Sequence, residues 1–153
     1  MKKLALNLLV IIALSFTFIA CDDDSSTTEV IVDSSMPTGT FTAARSGTFT
    51  AQNDTPTAGS VSVGTDTDGD SFLMFGSDFT TMLATGTVTV YLSTSSEFMA
   101  DPANGNPDLK LIGAVSQNGE SYIKLNAAVE SKFTHVILWC GSANIPFGYA
   151  MMQ

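Results

Sequence analysis

His135–Met152 reads HVILWCGSANIPFGYAMM, and its pattern decides the fold class. His135–Gly141 is a strand candidate with His135, Ile137 and Trp139 on one face and Val136, Leu138 and Cys140 on the other. Consecutive side chains of a strand point to opposite faces, so a run that is apolar on both faces is buried on both sides. Gly141-Ser142-Ala143-Asn144 supplies a polar turn. Pro146–Met152 then returns with Phe147, Tyr149 and Met151 on one face and Gly148, Ala150 and Met152 on the other. Small residues beside Trp139, the only Trp of the chain, leave room for its ring, and Trp139 is expected to anchor the core together with Cys140.

Upstream, the same two-residue period recurs in short runs. Val61 and Val63 alternate with Ser60, Ser62 and Gly64, a strand with one wet face. Ser71–Phe75 is apolar on both faces, with Leu73 and Phe75 opposite Phe72 and Met74, and reads as a central strand. In Thr87–Ser93, Val88, Val90 and Leu92 point inward while Thr87, Thr89 and Tyr91 point outward. Thr40–Ala43 and Gly47–Gln52 alternate Phe with Thr and read as two short half-exposed strands. Asp108–Val115 and Ser121–Asn126 flank Ser116-Gln117-Asn118-Gly119, a hairpin signal, and Ala127–Lys132 has room for one helical turn. Thr94–Pro107 is polar and rich in turn residues, a long surface loop of the kind that often carries binding residues. With no long helical pattern and no repeat, the expectation is an all-β domain. About eight short, mainly antiparallel strands would form a single β-sandwich or flattened barrel.

The other end of the chain carries an address. Lys2 and Lys3 precede an almost wholly apolar run, Leu4 to Ala20, and Cys21 follows directly. This is the layout of a secretory signal. Phe18-Ile19-Ala20-Cys21 resembles a bacterial lipobox, which implies a lipoprotein. The resemblance implies that residues 1–20 are the signal peptide and that Cys21 is the first mature residue, lipidated, palmitate included. Residues 21–37, rich in Asp, Ser and Thr, form a flexible acidic tether, and 38–153 form the folded domain. A transmembrane helix needs about 20 apolar residues, more than this run offers. Acids directly after such a Cys resemble a surface-export signal in one bacterial group and an inner-membrane retention signal in another. The expected place is the cell envelope, at the outer membrane or surface of a Gram-negative bacterium, with the lipid on Cys21 as the membrane partner.

Charge narrows the other partners. The formal net charge is -9. Removing residues 1–20 takes away two Lys and no acid, leaving four cations against fifteen acids, a net of -11. Only Arg45, Lys110, Lys124 and Lys132 remain as strong cations, so no basic stripe is available for a phosphate backbone and no nucleic-acid partner is expected.

Few residues carry chemistry. Asp66, Asp68 and Asp70 alternate like the start of a calcium loop, but Gly69 precedes the third acid and no Glu closes the loop. An Asp-Gly hairpin turn is the preferred reading, with a calcium turn as the alternative. Blue-copper ligation needs two His and a Cys, and the chain has one His. Haem ligation by His135 and a Met has no attachment motif behind it. The sequence requires no cofactor. No nucleophile, base and orienter stand together, so an enzyme is not expected. Once Cys21 is acylated, Cys140 is the one free thiol and the candidate redox residue, able to form a mixed disulfide or a sulfenic acid. It is also a small apolar residue suited to packing beside Val136 and Leu138.

The C-terminal stretch resembles the DM13 domain family. The resemblance rests on a strand ending in Trp139-Cys140, a short polar turn, then Phe147-Gly148-Tyr149-Ala150. Leu73–Phe79, Val90-Tyr91-Leu92-Ser93, Leu111-Ile112-Gly113 and Gly119–Leu125 are similar to further family segments. The family's His is absent between Asn53 and Gly59, and Ala84-Thr85-Gly86-Thr87 stands where Gly-Pro-Asp is usual. The resemblance implies a β-rich fold and a redox or electron-transfer role for the lone Cys, here Cys140, exercised with an envelope redox or surface protein. The competing expectation is a lipid-anchored, non-enzymatic binding or structural β-domain.

Overall fold

A computed structural model describes residues 32–99 and 105–153. The expected signal peptide, Cys21 and most of the tether lie outside the described residues, as do Pro102 and Asn104 of the long loop. The described chain folds into eight strands: β1 (Thr42–Ala51), β2 (Ser60–Thr65), β3 (Ser71–Phe75), β4 (Val88–Ser93), β5 (Leu109–Val115), β6 (Ser121–Leu125), β7 (His135–Cys140) and β8 (Ile145–Met151). Their order in space is β5-β4-β7-β8-β1-β2-β3-β6, and every pairing is antiparallel. The fold is all-β, a sheet bent so far that it approaches a flattened barrel.

β1 makes the bend. Thr42 to Thr48 pair with β2, and Phe49 to Ala51 pair with β8, so one strand belongs to both halves of the sheet. The two short strands expected here are therefore one, carried through Arg45-Ser46-Gly47. Gly47 permits the crossing, because a Cβ there would sit 2.3 Å from the carbonyl oxygen of Met151. Ser46 and Gln153 exchange backbone hydrogen bonds of 3.0 and 2.9 Å at the same place.

The alternating pattern sorts as the sequence requires. Val61, Val63, Leu73, Phe75, Val88, Val90, Leu92, Val136, Leu138 and Cys140 all join one buried cluster. Phe75 and Phe79 approach to 4.3 Å between ring centroids, and Phe49 lies 5.4 Å from Phe79, forming the centre of the β1–β3 half. Each such side chain contributes about 1.5–3 kcal/mol when fully buried.

Three local expectations are corrected. Ser116–Gly119 does not close a hairpin. β5 pairs only with β4, and β6 only with β3, so the chain steps from one edge of the sheet to the other. The turn's polar groups bond elsewhere: Asn118 Oδ1 accepts from the Thr81 amide at 2.9 Å, and the Gly119 amide donates to Phe79 O at 2.8 Å. Ala127–Lys132 is irregular, with a turn closed by Phe133 N donating to Glu130 O at 3.1 Å. Finally, the β7–β8 register shifts between Leu138 and Trp139, opposite Phe147. That extra residue rotates Phe147 inward, so it joins Ala150 and Met152 in the core while Tyr149 is half-buried and Met151 exposed.

The edges β5 and β6 lie against each other without pairing. A Cβ on Gly113 would sit 3.1 Å from Ile123 Cδ1. Farther along this seam, β5, β6 and residues 126–133 part around a cleft.

Candidate functional site

Cys140 ends β7 and pairs with Val88, the first residue of β4. β7 runs between β4 and β8, so two ladders fix its backbone. Its even-numbered side chains face the core, which carries the Cys140 thiol inward, and the residue is 0 % exposed. The cover above the sulfur is nevertheless thin. It consists of the β7–β8 turn and the segment before β4, and Ala84, Thr85, Gly86, Gly141 and Ser142 are all exposed.

The sulfur has polar neighbours. Cys140 Sγ lies 3.2 Å from Ser142 Oγ and 3.6 Å from Thr85 Oγ1. Ser142 Oγ in turn donates to the Thr85 carbonyl, tying the two covering segments together, and its single proton must turn from that carbonyl to the sulfur to serve a Cys140 thiolate. Gly86 has φ 112°, and a Cβ there would meet Ser142 Oγ at 3.0 Å, so glycine allows the close approach. The protonated thiol donates to Thr85 Oγ1 and, at 4.0 Å, to the Thr85 carbonyl, whereas a thiolate accepts from hydroxyls and amides that turn toward it. The Ser142 hydroxyl is the largest influence. Burial opposes it, and the Ala143 amide, the Thr85 hydroxyl and the Ser142 amide add to it. The balance holds the Cys140 thiol below its ordinary pKa.

The other residues singled out in the sequence do not join this site. His135 pairs with Ser93 while Cys140 pairs with Val88, so the two sit at opposite ends of the β4–β7 ladder. His135 Nδ1 bonds Thr134 Oγ1 at 2.9 Å, its ring lies 6.1 Å from Tyr149, and burial lowers its pKa. Trp139 does not anchor the main core as expected: strand alternation puts it on the opposite face of β7 from Cys140, outside the main core cluster. There it stacks on Phe98 at 3.8 Å between centroids and 15° between planes, with Tyr91 edge-on to Phe98 at 5.0 Å. The long loop thus supplies a cover for the outer face of β7, and Ile137 beneath it is 0 % exposed.

Asp66, Asp68 and Asp70 form the β2–β3 turn. Asp66 Oδ1 accepts from the Asp68 and Asp70 amides at 3.0 and 2.9 Å, and Oδ2 accepts from Thr38 N at 2.9 Å. The Thr38 bond leads in holding the Asp66 carboxyl below the usual range, and its oxygens are committed to backbone. Asp70 instead pairs with Lys124 at 2.6 Å. Among the described residues no three His, Cys, Asp or Glu side chains converge in a metal-holding group.

Residues 48–152 match the family described as Electron transfer DM13. The chain belongs to the DM13 family. No curated protein and no solved structure matches it. The DM13 match spans β2 to β8 and the last four residues of β1, so it covers both halves of the fold and the whole surround of Cys140. Thr85 and Ser142 were not anticipated as members of the site. The signal for Ser142 was its place two residues after Cys140, whereas Thr85 comes from 55 residues away and is brought in only by the β4–β7 ladder.

The hydroxyl bond makes a pH prediction. Ser142→Ala removes the leading thiolate donor, so the pH midpoint of Cys140 alkylation in the folded protein moves upward. An unchanged midpoint in a folded variant would show that Ser142 does not set it.

Proposed function

We propose that this DM13 protein is a lipid-anchored accessory of the cell envelope that exchanges electrons through Cys140. One observation carries the reading: the one free thiol among the described residues lies at the end of its strand within 3.2 Å of the Ser142 hydroxyl and 3.6 Å of the Thr85 hydroxyl, both on exposed residues. The description of the family as an electron-transfer family agrees with it. The reaction that suits a lone thiol is exchange with the disulfide of a partner protein. The Cys140 thiolate attacks one sulfur, an S–S bond forms to Cys140, and the partner's S–S bond breaks. The leaving thiolate takes the electron pair and the proton that Cys140 gave up. Cys140 is the one free Cys among the described residues, so a second thiol from outside must resolve the mixed disulfide.

The tether reading rests on the sequence before the fold. The lipobox-like end of the apolar run supports acylation of Cys21, and the acidic stretch after it supports a spacer between lipid and domain. The resemblance of that stretch to the surface-export signal of one bacterial group supports an outer-membrane or surface location.

A second reading, a lipid-anchored binding or structural domain with an inert thiol, is favoured by the complete burial of Cys140 in the core cluster. Oxidised glutathione separates the two. At neutral pH the native protein is expected to gain one glutathionyl adduct on Cys140, to lose it again with reduced glutathione, and to keep its circular dichroism throughout. Adduct formation only after denaturation would establish the second reading. Palmitate labelling of growing cells tests the anchor: the wild-type chain takes up label and Cys21→Ser takes up none. Equal labelling of both would remove the lipid from the account.

A further inference from the structure

The seam between β5 and β6 opens into a cleft of about 490 Å³. Small-molecule sites span about 300–1,000 Å³, so the space is adequate for a ligand. Its walls are apolar at Ile112, Leu125, Val129 and Phe133. Lys110 and Lys124 stand in it, with Asp33 and Glu130.

The charges of this cleft are unequally engaged. Lys124 is paired with Asp70 at 2.6 Å. The Asp33 carboxylate accepts from the Ser35 amide at 2.9 Å and from the Ser35 hydroxyl. Glu130 faces Lys132 at 3.7 Å, and Lys132 also donates to Pro107 O at 2.9 Å. Lys110 has no ion-pair partner among the described residues.

The region is also where the scarce cations of an acidic chain collect. Residues 32–153 hold four, Arg45, Lys110, Lys124 and Lys132. Two line the cleft. Arg45 donates to Phe133 O at 2.7 Å, and Lys132 flanks Glu130, so the other two border it. The two Lys and two acids of the cleft wall cancel, so an anion is repelled less here than by the acidic chain as a whole, and Lys110 is the cation left without an ion pair among the described residues.

We infer that the seam cleft binds a small amphipathic carboxylate, its apolar body between Ile112, Val129 and Phe133 and its carboxylate at Lys110. Apolar burial supplies the affinity, and an exposed ammonium supplies the preference for negative charge. The site is independent of the thiol. Leu92 lines the cleft and pairs with Val136, while Cys140 lies at the other end of the same ladder.

The test uses decanoate, below its micellar concentration, and decylamine, which has the same chain length and the opposite charge. Amide resonances of Ile112, Val129 and Phe133 in the purified protein are expected to shift saturably with decanoate, with decylamine about five-fold weaker. Lys110→Glu inverts that order. Ala128→Trp, a change at an exposed lining residue, fills the cleft and abolishes both titrations with the fold intact. Shifts that do not saturate, that map to other surfaces, or that are the same in Lys110→Glu would overturn the inference.

Discussion

Trp139 and Cys140 are neighbours on a strand, and neighbours on a strand cannot share a face. That constraint organises the molecule. Cys140 and the alternating Val136 and Leu138 must enter the core, and Trp139 must leave it. A Trp on the outer face of a central strand needs a cover, which Phe98 of the long loop provides by stacking at 3.8 Å. Such a stack is worth about 0.5–1.5 kcal/mol beyond its buried area. The covalent adjacency of two residues thus fixes the position of a loop, the facing of β7 and the depth of the thiol together.

The same constraint explains how a buried sulfur keeps a way out. Cys140 is the last residue of its strand, so the core ends with it and a turn begins. The strand stops there, and the thiol meets Thr85 and Ser142 of two segments, 84–87 and 141–144, that are exposed throughout. Strand ends and turns open locally at much lower cost than a core strand. A thiol in the middle of β7 has ladders on both sides along its whole length, whereas one at its end adjoins a turn held to the segment before β4 by the Ser142–Thr85 bond. The Ser142 hydroxyl that leads in lowering the thiol pKa belongs to that same turn.

Much of this was legible in the residues. The two-residue period assigned inward and outward positions correctly in β3, β4 and β7, because core burial leaves alternation little freedom. The Asp-Gly turn between β2 and β3 was legible because its chemistry is local. What escaped was whatever depends on distant partners. Ser116–Gly119 has hairpin residues, yet Asn118 and Gly119 bond to Thr81 and Phe79, so tertiary contacts decide the connection. The bulge that turns Phe147 inward is invisible to a strict alternation. Thr85 above Cys140 occupies the segment where the sequence departs from the usual family residues, and nothing local marks it as part of the site.

The central claim is that Cys140 is reached by local opening of its roof. The direct measurement is the rate of Cys140 labelling in native protein as urea is raised below the unfolding transition. Local opening exposes little surface, so the account predicts a rate almost independent of urea until global unfolding takes over. A rate that climbs from the lowest urea with the full slope of global unfolding would contradict it, and would make Cys140 a packing residue of the core.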